Sequence, residues 1–281
     1  MVASLKDGVE SLSATFTDYG LLTTPQLHYI TRCLNTKDTP DSYGIPTVHG
    51  YYEKLSAAFN RIAAGKKRLS PLFVDCANGI GAPALRSLAK TLGDAFLVTN
   101  IVNDDTVSRG KLNSNCGADY VKLYQKAPQG TTIQPGQRWC SLDGDADRIV
   151  FYYADADGVF KLLDGDKIAT LSAGFIMSLI RDANLQLPSN TPVDVGLVQT
   201  AYANGSSTSY VKDILNVPVV FTPTGVKHLH HEAEHFDVGV YFEANGHGTI
   251  LFSKRFVKAC HETKGYFIIY HYFNGFLDLF N

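Results

Sequence analysis

Residues 193–242 read VDVGLVQTAYANGSSTSYVKDILNVPVVFTPTGVKHLHHEAEHFDVGVYF, and short apolar runs alternate in them with longer amphipathic runs. We predict strands at 193–198, 217–221 and 237–242 and helices at 206–215 and 226–235. Strands that alternate with helices are typical of a parallel sheet with right-handed crossovers. Ligands bind such sheets at loops beyond the carboxyl ends of the strands, which makes 222–225 and 243–248 candidate binding loops.

A second α/β unit is predicted upstream of this stretch. It comprises a strand at 72–76, a tight turn at 77–81, a helix at 82–92, strands at 96–101, 139–142, 149–153 and 159–163, and a helix at 166–181. Before it, we expect a strand end at 16–20, a surface loop at 34–47 and a helix at 50–64. The fold class is therefore α/β, with layered sheets flanked by helices.

Length, charge and cysteine content exclude several classes of protein. The chain has 281 residues, roughly two domains' worth, and its 25 Lys and Arg nearly balance its 27 Asp and Glu. A net charge of −2 argues against electrostatic binding of nucleic acid or an anionic membrane over a broad surface. We therefore predict no nucleic-acid or membrane partner, and the sequence gives no prediction of a partner protein.

The five cysteines and the chain's first residues bear on its compartment. Because there is no C-x-x-C pair, a zinc knuckle or a disulfide framework is not expected. We expect buried thiols in a reducing compartment. Residues 1–7 contain no apolar signal core. The most apolar run, 265–280, is interrupted by His271, Asn274 and Asp278 and is too short to span a membrane. We expect a cytoplasmic protein.

The acidic run 143–148 is the most informative motif. Asp143, Asp145 and Asp147 alternate with small residues, so that an extended loop would point all three carboxylates to one side. Like charges that close repel unless a cation holds them, and oxygen ligands suit Mg²⁺ or Ca²⁺. Arg148 fits a phosphate partner beside such an ion. The alternative is a solvated acidic turn.

Three further motifs leave alternatives open. His231 and His235 complete an H-E-x-x-H sequence, the helical zinc-protease motif, although no third ligand is apparent. The loop 243–248, with Glu243, Asn245 and two glycines, suits a sugar or polyol or is an ordinary polar turn. The turn 77–81 resembles a dinucleotide loop weakly, and a tight structural turn explains it better.

Taken together, the motifs resemble the α-D-phosphohexomutases. The metal loop of that family is similar to Ser141–Arg148 (SLDGDADR), and the resemblance extends in order through GLLTTPQLHY at 20–29, DCANGIG at 75–81, QTAYANGSS at 199–207, TGVKHLHH at 224–231 and FEANGHGT at 242–249. The resemblance implies the layered α/β domains 2 and 3 of that family plus the end of domain 1.

The resemblance also implies a reaction. A member of this kind interconverts N-acetylglucosamine 6-phosphate and N-acetylglucosamine 1-phosphate, for UDP-N-acetylglucosamine synthesis. A phosphoserine gives its phosphoryl group to the sugar, and the resulting bisphosphate reorients and returns the other phosphate. By resemblance, Mg²⁺ is held by Asp143, Asp145 and Asp147, and the catalytic residue Arg148 positions the phosphoryl group. The sugar is recognised by Glu243, Ala244, Asn245 and His247. Its phosphate is surrounded by Thr224, Gly225, Lys227 and His228.

Two family motifs do not occur in the chain. The nucleophile of the family lies in a Ser-His-Asn-Pro loop and the phosphate clamp in an Arg-Pro-Ser-Gly-Thr loop, and neither sequence is present. We therefore expect a chain shortened at both ends and inactive alone, or alternatively a non-catalytic sugar-phosphate-binding or misfolded fragment, or, less favoured, a zinc hydrolase using His231 and His235.

The expected domain division follows from the same resemblance. It places a remnant of domain 1 at 1–65, domain 2 with the metal loop at 66–163, domain 3 with the sugar loop at 164–253, and a divergent aromatic tail at 254–281. Seven of the 32 aromatic residues lie between Tyr266 and Phe280. An apolar, β-prone run of this kind is an aggregation hazard when exposed.

Overall fold

A computed structural model of the chain describes residues 2–65, 71–93 and 98–262. The aromatic run between Tyr266 and Phe280 lies outside the described residues. Three helices come first: α1 (Val2–Ser11), α2 (Thr24–Asn35) and α3 (Val48–Ala63). Helices α2 and α3 pack on each other around Tyr29, Ile30 and Cys33, all three of which are buried.

The first sheet has five strands in the order β2-β1-β3-β4-β5. Strand β1 is parallel to β2 and β3, whereas β4 is antiparallel to both β3 and β5, so the sheet is mixed. The elements of this unit are β1 (Leu72–Asp75), α4 (Gly81–Leu92), β2 (Val98–Val102), α5 (Ala118–Tyr124), β3 (Arg138–Leu142), β4 (Ile149–Ala154) and β5 (Phe160–Leu163).

The second sheet has four strands in the order β7-β6-β8-β9. Strand β6 is parallel to β7 and β8, and β9 closes the edge antiparallel to β8. The elements of this unit are α6 (Gly165–Asp182), β6 (Val195–Thr200), α7 (Gly205–Ser209), β7 (Val219–Thr222), α8 (Val226–Ala233), β8 (Val238–Phe242), β9 (Gly248–Phe252) and α9 (Lys254–Glu262). The predicted fold class, layered α/β with helices on mixed sheets, is confirmed.

Helices cover the second sheet on both faces, so that both faces of its inner strand β6 are buried. All six residues of β6 are buried. Leu197 packs with residues of α6 and with Phe256 of α9, while the next residue, Val198, packs with Leu229 of α8 on the opposite face. Burying a side chain of this size contributes about 1.5–3 kcal/mol, so α6, α8 and α9 are held mainly by apolar contact.

Three details differ from the sequence-based expectations. Residues 16–20 form no strand and instead lie in the irregular segment between α1 and α2. Four helices and one strand were not expected, namely α1, α2, α5, α9 and β9, and α5 lies in a region that its composition marks as polar. The predicted helix 206–215 is split, because α7 ends at Ser209 and Tyr210–Ile214 continue as a π-helical turn.

The described helices include none that is both long enough and apolar enough to cross a bilayer.

Candidate functional site

The acidic loop between β3 and β4 gathers three carboxylates. Asp143, Asp145 and Asp147 each place one oxygen within 4.8 Å of the others. Within residues 2–65, 71–93 and 98–262 this is the one group of three or more His, Cys, Asp or Glu side chains that converges in this way. The alternation of acidic and small residues therefore produces the convergence that the sequence suggests.

Backbone hydrogen bonds fix the shape of the loop. Ala146 adopts a left-handed conformation with φ of 58°, and its N–H donates to the Asp143 carbonyl at 3.2 Å. The N–H groups of Asp147 and Arg148 both donate to Asp143 Oδ1 at 3.1 Å. The loop thus curls around the Asp143 carboxylate and holds it in one orientation.

The electrostatics of the loop fit a divalent cation. Asp143 is only 8% exposed, and this burial raises the pKa of its carboxyl to about 7; the Arg148 N–H opposes the rise, and the negative charges of Asp147 and Asp145 add to it. A bound cation would remove this repulsion, and carboxylate oxygens are the donors that Mg²⁺ and Ca²⁺ prefer. The residues present therefore fit the expected Mg²⁺.

Arg148 is anchored beside the carboxylates. Its Nη1 donates to Asp119 of α5 at 2.7 Å, and its Nε lies 3.8 Å from Asp143 Oδ2 and 3.9 Å from Asp147 Oδ1. The Nε atom is buried and makes no hydrogen bond with the described residues. A guanidinium held in this way presents a positive charge at the edge of the acidic loop, where a phosphoryl group would be attracted.

The turn 77–81 supports the loop from behind. Ile80 N–H donates to the Gly144 carbonyl at 3.0 Å. A Cβ atom at Gly79 would lie 2.2 Å from the same oxygen, so that only glycine permits the approach. The turn is therefore a structural support, in agreement with the interpretation favoured by its sequence.

A buried aspartate orders the base of the site and was missed from the sequence. Asp75, at the end of β1, is fully buried and accepts hydrogen bonds from Ser141 Oγ at 2.6 Å and from the Gly117 N–H at 2.7 Å. Asn103 Nδ2 donates to its other oxygen at 2.8 Å. The sequence does contain a signal for this role, because Asp75 ends an apolar strand. A carboxylate buried at such a position must be hydrogen-bonded.

The loop 243–248 joins the two sheets at the acidic loop. Its Gly246 carbonyl accepts from the Ile149 N–H at 3.2 Å, and its Ala244 carbonyl accepts from the Gly165 N–H at 3.2 Å. His247 Nδ1 lies 3.5 Å from Asp147 Oδ2. The predicted sugar loop and the predicted metal loop are therefore direct neighbours.

Glu243 connects this loop to the one before α8. Its side chain is 8% exposed, and Oε1 accepts the Gly225 N–H at 3.1 Å. Asn245 Oδ1 accepts the His247 N–H at 3.1 Å, which closes the turn. Three of the four residues predicted around the sugar phosphate, Thr224, Lys227 and His228, are exposed, and Gly225 is half-buried.

A cavity of about 910 Å³ adjoins the two loops. Lys227, His228, His247 and Asp147 line it, whereas Glu243, Ala244, Asn245, Thr224 and Gly225 lie outside its described lining. The lining of the cavity also includes two cationic residues that the sequence reasoning missed, Arg32 and Lys54. Arg32 of α2 and Lys54 of α3 both lie over the Tyr43 ring, at 3.8 and 3.4 Å from its centre, and the cavity suits an anionic ligand.

The zinc interpretation finds no support in the geometry of α8. The helix ends at Ala233, before the second histidine of the motif. His231 lies 3.5 Å from Glu234 and His235 lies 3.7 Å from Glu232, as surface pairs. No further donor completes a cluster of three around them in the part of the chain that the structure describes.

Family models match the chain over most of its length. The model for phosphoacetylglucosamine mutase AMG1 domain II matches residues 41–150, and the model for domain III matches residues 164–266. The human phosphoacetylglucosamine mutase is 54% identical over 254 residues, which cover 89% of this chain and 45% of that protein. The Candida albicans phosphoacetylglucosamine mutase is 47% identical, with 92% and 47% covered.

Solved structures of mutases share the fold of this chain. Aspergillus fumigatus N-acetylphosphoglucosamine mutase in complex with GlcNAc-6P and magnesium superimposes with a TM-score of 0.93 at 50% identity, covering 100% of this chain and 56% of that one. An N-acetylglucosamine-phosphate mutase described as a member of the α-D-phosphohexomutase superfamily gives 0.87 at 44% identity, covering 99% and 59%.

The chain spans about half the length of the curated relatives it matches. Within that half, both family models, the sequence identity and the fold of solved relatives agree with the resemblance predicted from the motifs. The chain therefore belongs to the phosphoacetylglucosamine mutase family of the α-D-phosphohexomutase superfamily.

Proposed function

We propose that this chain is the part of a phosphoacetylglucosamine mutase that carries the metal-binding and sugar-recognition loops. The full reaction interconverts N-acetylglucosamine 6-phosphate and N-acetylglucosamine 1-phosphate through a phosphoserine and a bisphosphate, and it feeds UDP-N-acetylglucosamine synthesis. One observation carries the proposal: three convergent carboxylates lie in direct contact with a loop that offers a buried glutamate, and His247 bridges to Asp147 at 3.5 Å.

The proposal assigns a role to each group of residues. Asp143, Asp145 and Asp147 hold Mg²⁺, which when bound supplies positive charge against a transferring phosphoryl group. Arg148 orients that phosphoryl group from the edge of the loop. Positioning and charge neutralisation supply most of the catalysis of phosphoryl transfer, and both are properties of this loop.

The remaining residues recognise the sugar and its phosphate. Glu243 accepts hydrogen bonds from hydroxyl groups, and Asn245 can accept bonds from them or donate bonds to them, with Ala244 and His247 in the same loop. The residues proposed around the phosphate of the sugar are Thr224, Gly225, Lys227 and His228. Lys227 and His228 face the cavity beside His247, which supports their assignment to an anionic group.

We propose further that the 281-residue chain has no mutase turnover by itself. The sequence contains no Ser-His-Asn-Pro, and a reaction that proceeds through a covalent phosphoserine loses its route without the nucleophile. The test supplies the purified chain with N-acetylglucosamine 6-phosphate, a bisphosphate primer and Mg²⁺ and measures 1-phosphate product. Turnover well above a blank without protein would contradict the proposal.

Ligand binding is the second test, and it separates the partial enzyme from an inert fragment. We expect calorimetry to detect weak binding of N-acetylglucosamine 6-phosphate, strengthened by Mg²⁺ because cation and phosphate attract each other at the acidic loop. A folded chain that gives no binding heat with the sugar phosphate, with or without Mg²⁺, would contradict the assignment of the sugar-recognition loop.

The domain division is also a proposal. The two sheets support a boundary near residue 164, where α6 follows β5. Helix α9 packs Phe256 and Cys260 into the core of the second sheet, so we propose that domain 3 continues to Glu262 and that the aromatic tail begins after it. All five cysteines are buried free thiols, which supports a reducing compartment such as the cytoplasm.

A further inference from the structure

We infer that Thr24, far from the acidic loop in sequence, is a positioning residue that sets the carboxylate of Asp145 for a divalent cation. The inference rests on the proposed metal role of that loop. It names a residue on α2, outside both sheets, and assigns the start of α2 a part in assembling the site.

Two hydrogen bonds join Thr24 to Asp145. The Thr24 hydroxyl donates to Asp145 Oδ2 at 2.6 Å, and the Thr24 N–H donates to the Asp145 carbonyl oxygen at 3.1 Å. One residue thereby fixes both the main chain and the side chain of Asp145. A carboxylate has about four acceptor sites, so a bond to one oxygen leaves capacity for a cation.

The start of α2 is rigid enough to serve as a reference point. Thr23 and Gln26 form a capping box, in which each side chain accepts the N–H of the other residue. Gln26 Nε2 also donates to Tyr52 Oη of α3 at 2.7 Å. Thr23, Gln26 and Tyr52 are all at least 92% buried, so the first turn of α2 is held on the α2–α3 pair.

Asp145 is the carboxylate of the loop that most needs outside support. Asp143 is buried and receives two N–H donors from its own loop, and Asp147 lies beside His247. Asp145, in contrast, is exposed, and besides its contact with Asp143 in the same loop, its side chain is held by the Thr24 hydroxyl. Hydrogen bonds from outside the ligand set orient ligating carboxylates, and removing them typically lowers metal affinity 10–100-fold.

The test measures Mg²⁺ binding calorimetrically on the 281-residue chain and three variants. Thr24→Val removes the hydroxyl at nearly constant volume, and we expect Mg²⁺ affinity to fall about tenfold. Thr24→Ser keeps the hydroxyl and should restore most of the affinity. Thr31→Val is the matched control, because the Thr31 hydroxyl on the same helix bonds only to the Leu27 carbonyl of its own turn, and it should bind Mg²⁺ like the unaltered chain.

The outcomes distinguish the inference from the proposed function. If Thr24→Val binds Mg²⁺ as tightly as the unaltered chain, or if Thr24→Ser binds as weakly as Thr24→Val, the positioning role is wrong while the metal site stands. If the unaltered chain, folded by circular dichroism, binds no Mg²⁺, the proposed metal role fails and the inference falls with it. Thermal denaturation in EDTA must show the unaltered chain and all three variants folded at the temperature of the titration. Weaker Mg²⁺ binding by Thr24→Val then reflects the lost hydroxyl and not unfolding.

Discussion

At the scale of single residues, the site depends on groups whose polar atoms are already oriented before any ligand binds. Asp143 accepts two N–H bonds from its own loop, and Glu243 accepts the Gly225 N–H at 3.1 Å while remaining 8% exposed. A charged hydrogen bond at such a position is stronger than one in water because the surroundings are less polar. The side chains are therefore preorganised for recognition.

Glu243 gives the first prediction at this scale. Glu243→Gln keeps an acceptor for the Gly225 N–H but removes the negative charge that would hold sugar hydroxyl groups. Hydrogen bonds to charged groups contribute about 1.5–3 kcal/mol and neutral ones about 0.5–1.5 kcal/mol, a difference of about 1–1.5 kcal/mol, so we expect calorimetry to give roughly five- to tenfold weaker binding of N-acetylglucosamine 6-phosphate. Glu262→Gln, exposed on α9, is the control and should bind normally. Equal affinity of the two variants would show that Glu243 does not contact the sugar.

The sequence predicts the proposed metal ligands of the acidic loop better than it predicts the residues that support them. The spacing of Asp143, Asp145 and Asp147 indicates convergence because it is local, with two residues from one carboxylate to the next. The contacts of Thr24 with Asp145 and of Gly117 with Asp75 join residues far apart in the chain. Such pairs depend on how elements pack, and no local pattern encodes them.

At the scale of elements, hydrophobic periodicity predicts the long helices and the buried strands, and a capping signal predicts helix α2, which periodicity misses. Helix α2 begins with Thr23, Pro25 and Gln26, which is a capping box with proline in the first turn. This signal was available in the sequence, and reading it would have predicted the helix. Helix α5 has only seven residues, too few for a periodic apolar stripe to stand out.

Helix α9 is tied to the second sheet by a buried aspartate. Asp237, fully buried beside the start of β8, accepts hydrogen bonds from Arg255 Nη2 at 2.8 Å, from Ser253 Oγ at 2.8 Å and from the Asp194 N–H at 3.0 Å. Burial alone would raise the pKa of this carboxyl, but the hydrogen bonds and the charge of Arg255 outweigh it and hold the pKa below its ordinary value.

The sign of the resulting pH dependence follows from linkage. A carboxyl with a depressed pKa in the folded state stabilises the fold fully above its unfolded pKa of about 3.9, and this contribution is lost as the pH falls through the folded value. We therefore expect urea unfolding to show a loss of stability below about pH 4 that is shallower in Asp237→Asn, although this variant is less stable at neutral pH. Parallel profiles for both proteins would contradict the role of Asp237, and Asp157→Asn in the β4–β5 hairpin provides the control.

At the scale of the whole molecule, the two sheets meet where the acidic loop meets the loop 243–248. The start of β4 binds the Gly246 carbonyl, the start of α6 binds the Ala244 carbonyl, and His247 approaches Asp147. The alternation of strands and helices predicts that β6, β7 and β8 are parallel, which the structure confirms. The junction could not be predicted in this way, because it depends on close approaches of two backbones at Gly246 and at Gly165, where a Cβ atom would lie 2.0 Å from the Ile149 and 1.8 Å from the Glu243 carbonyl oxygen.

Gly246, the glycine at the contact between the acidic loop and the loop 243–248, gives the prediction for the whole molecule. Its φ is +91°, and a Cβ atom there would lie 2.0 Å from the Ile149 carbonyl oxygen, so alanine must push the two loops apart. Gly130 also has a positive φ, of +77°, but open space around it; Gly130→Ala should therefore cost only the backbone strain of about 1–2 kcal/mol. We expect Gly246→Ala to lower the urea midpoint further and to weaken Mg²⁺ and sugar-phosphate binding together, since both loops move. If Gly246→Ala costs no more than Gly130→Ala and leaves both affinities unchanged, the junction does not align the two halves of the site.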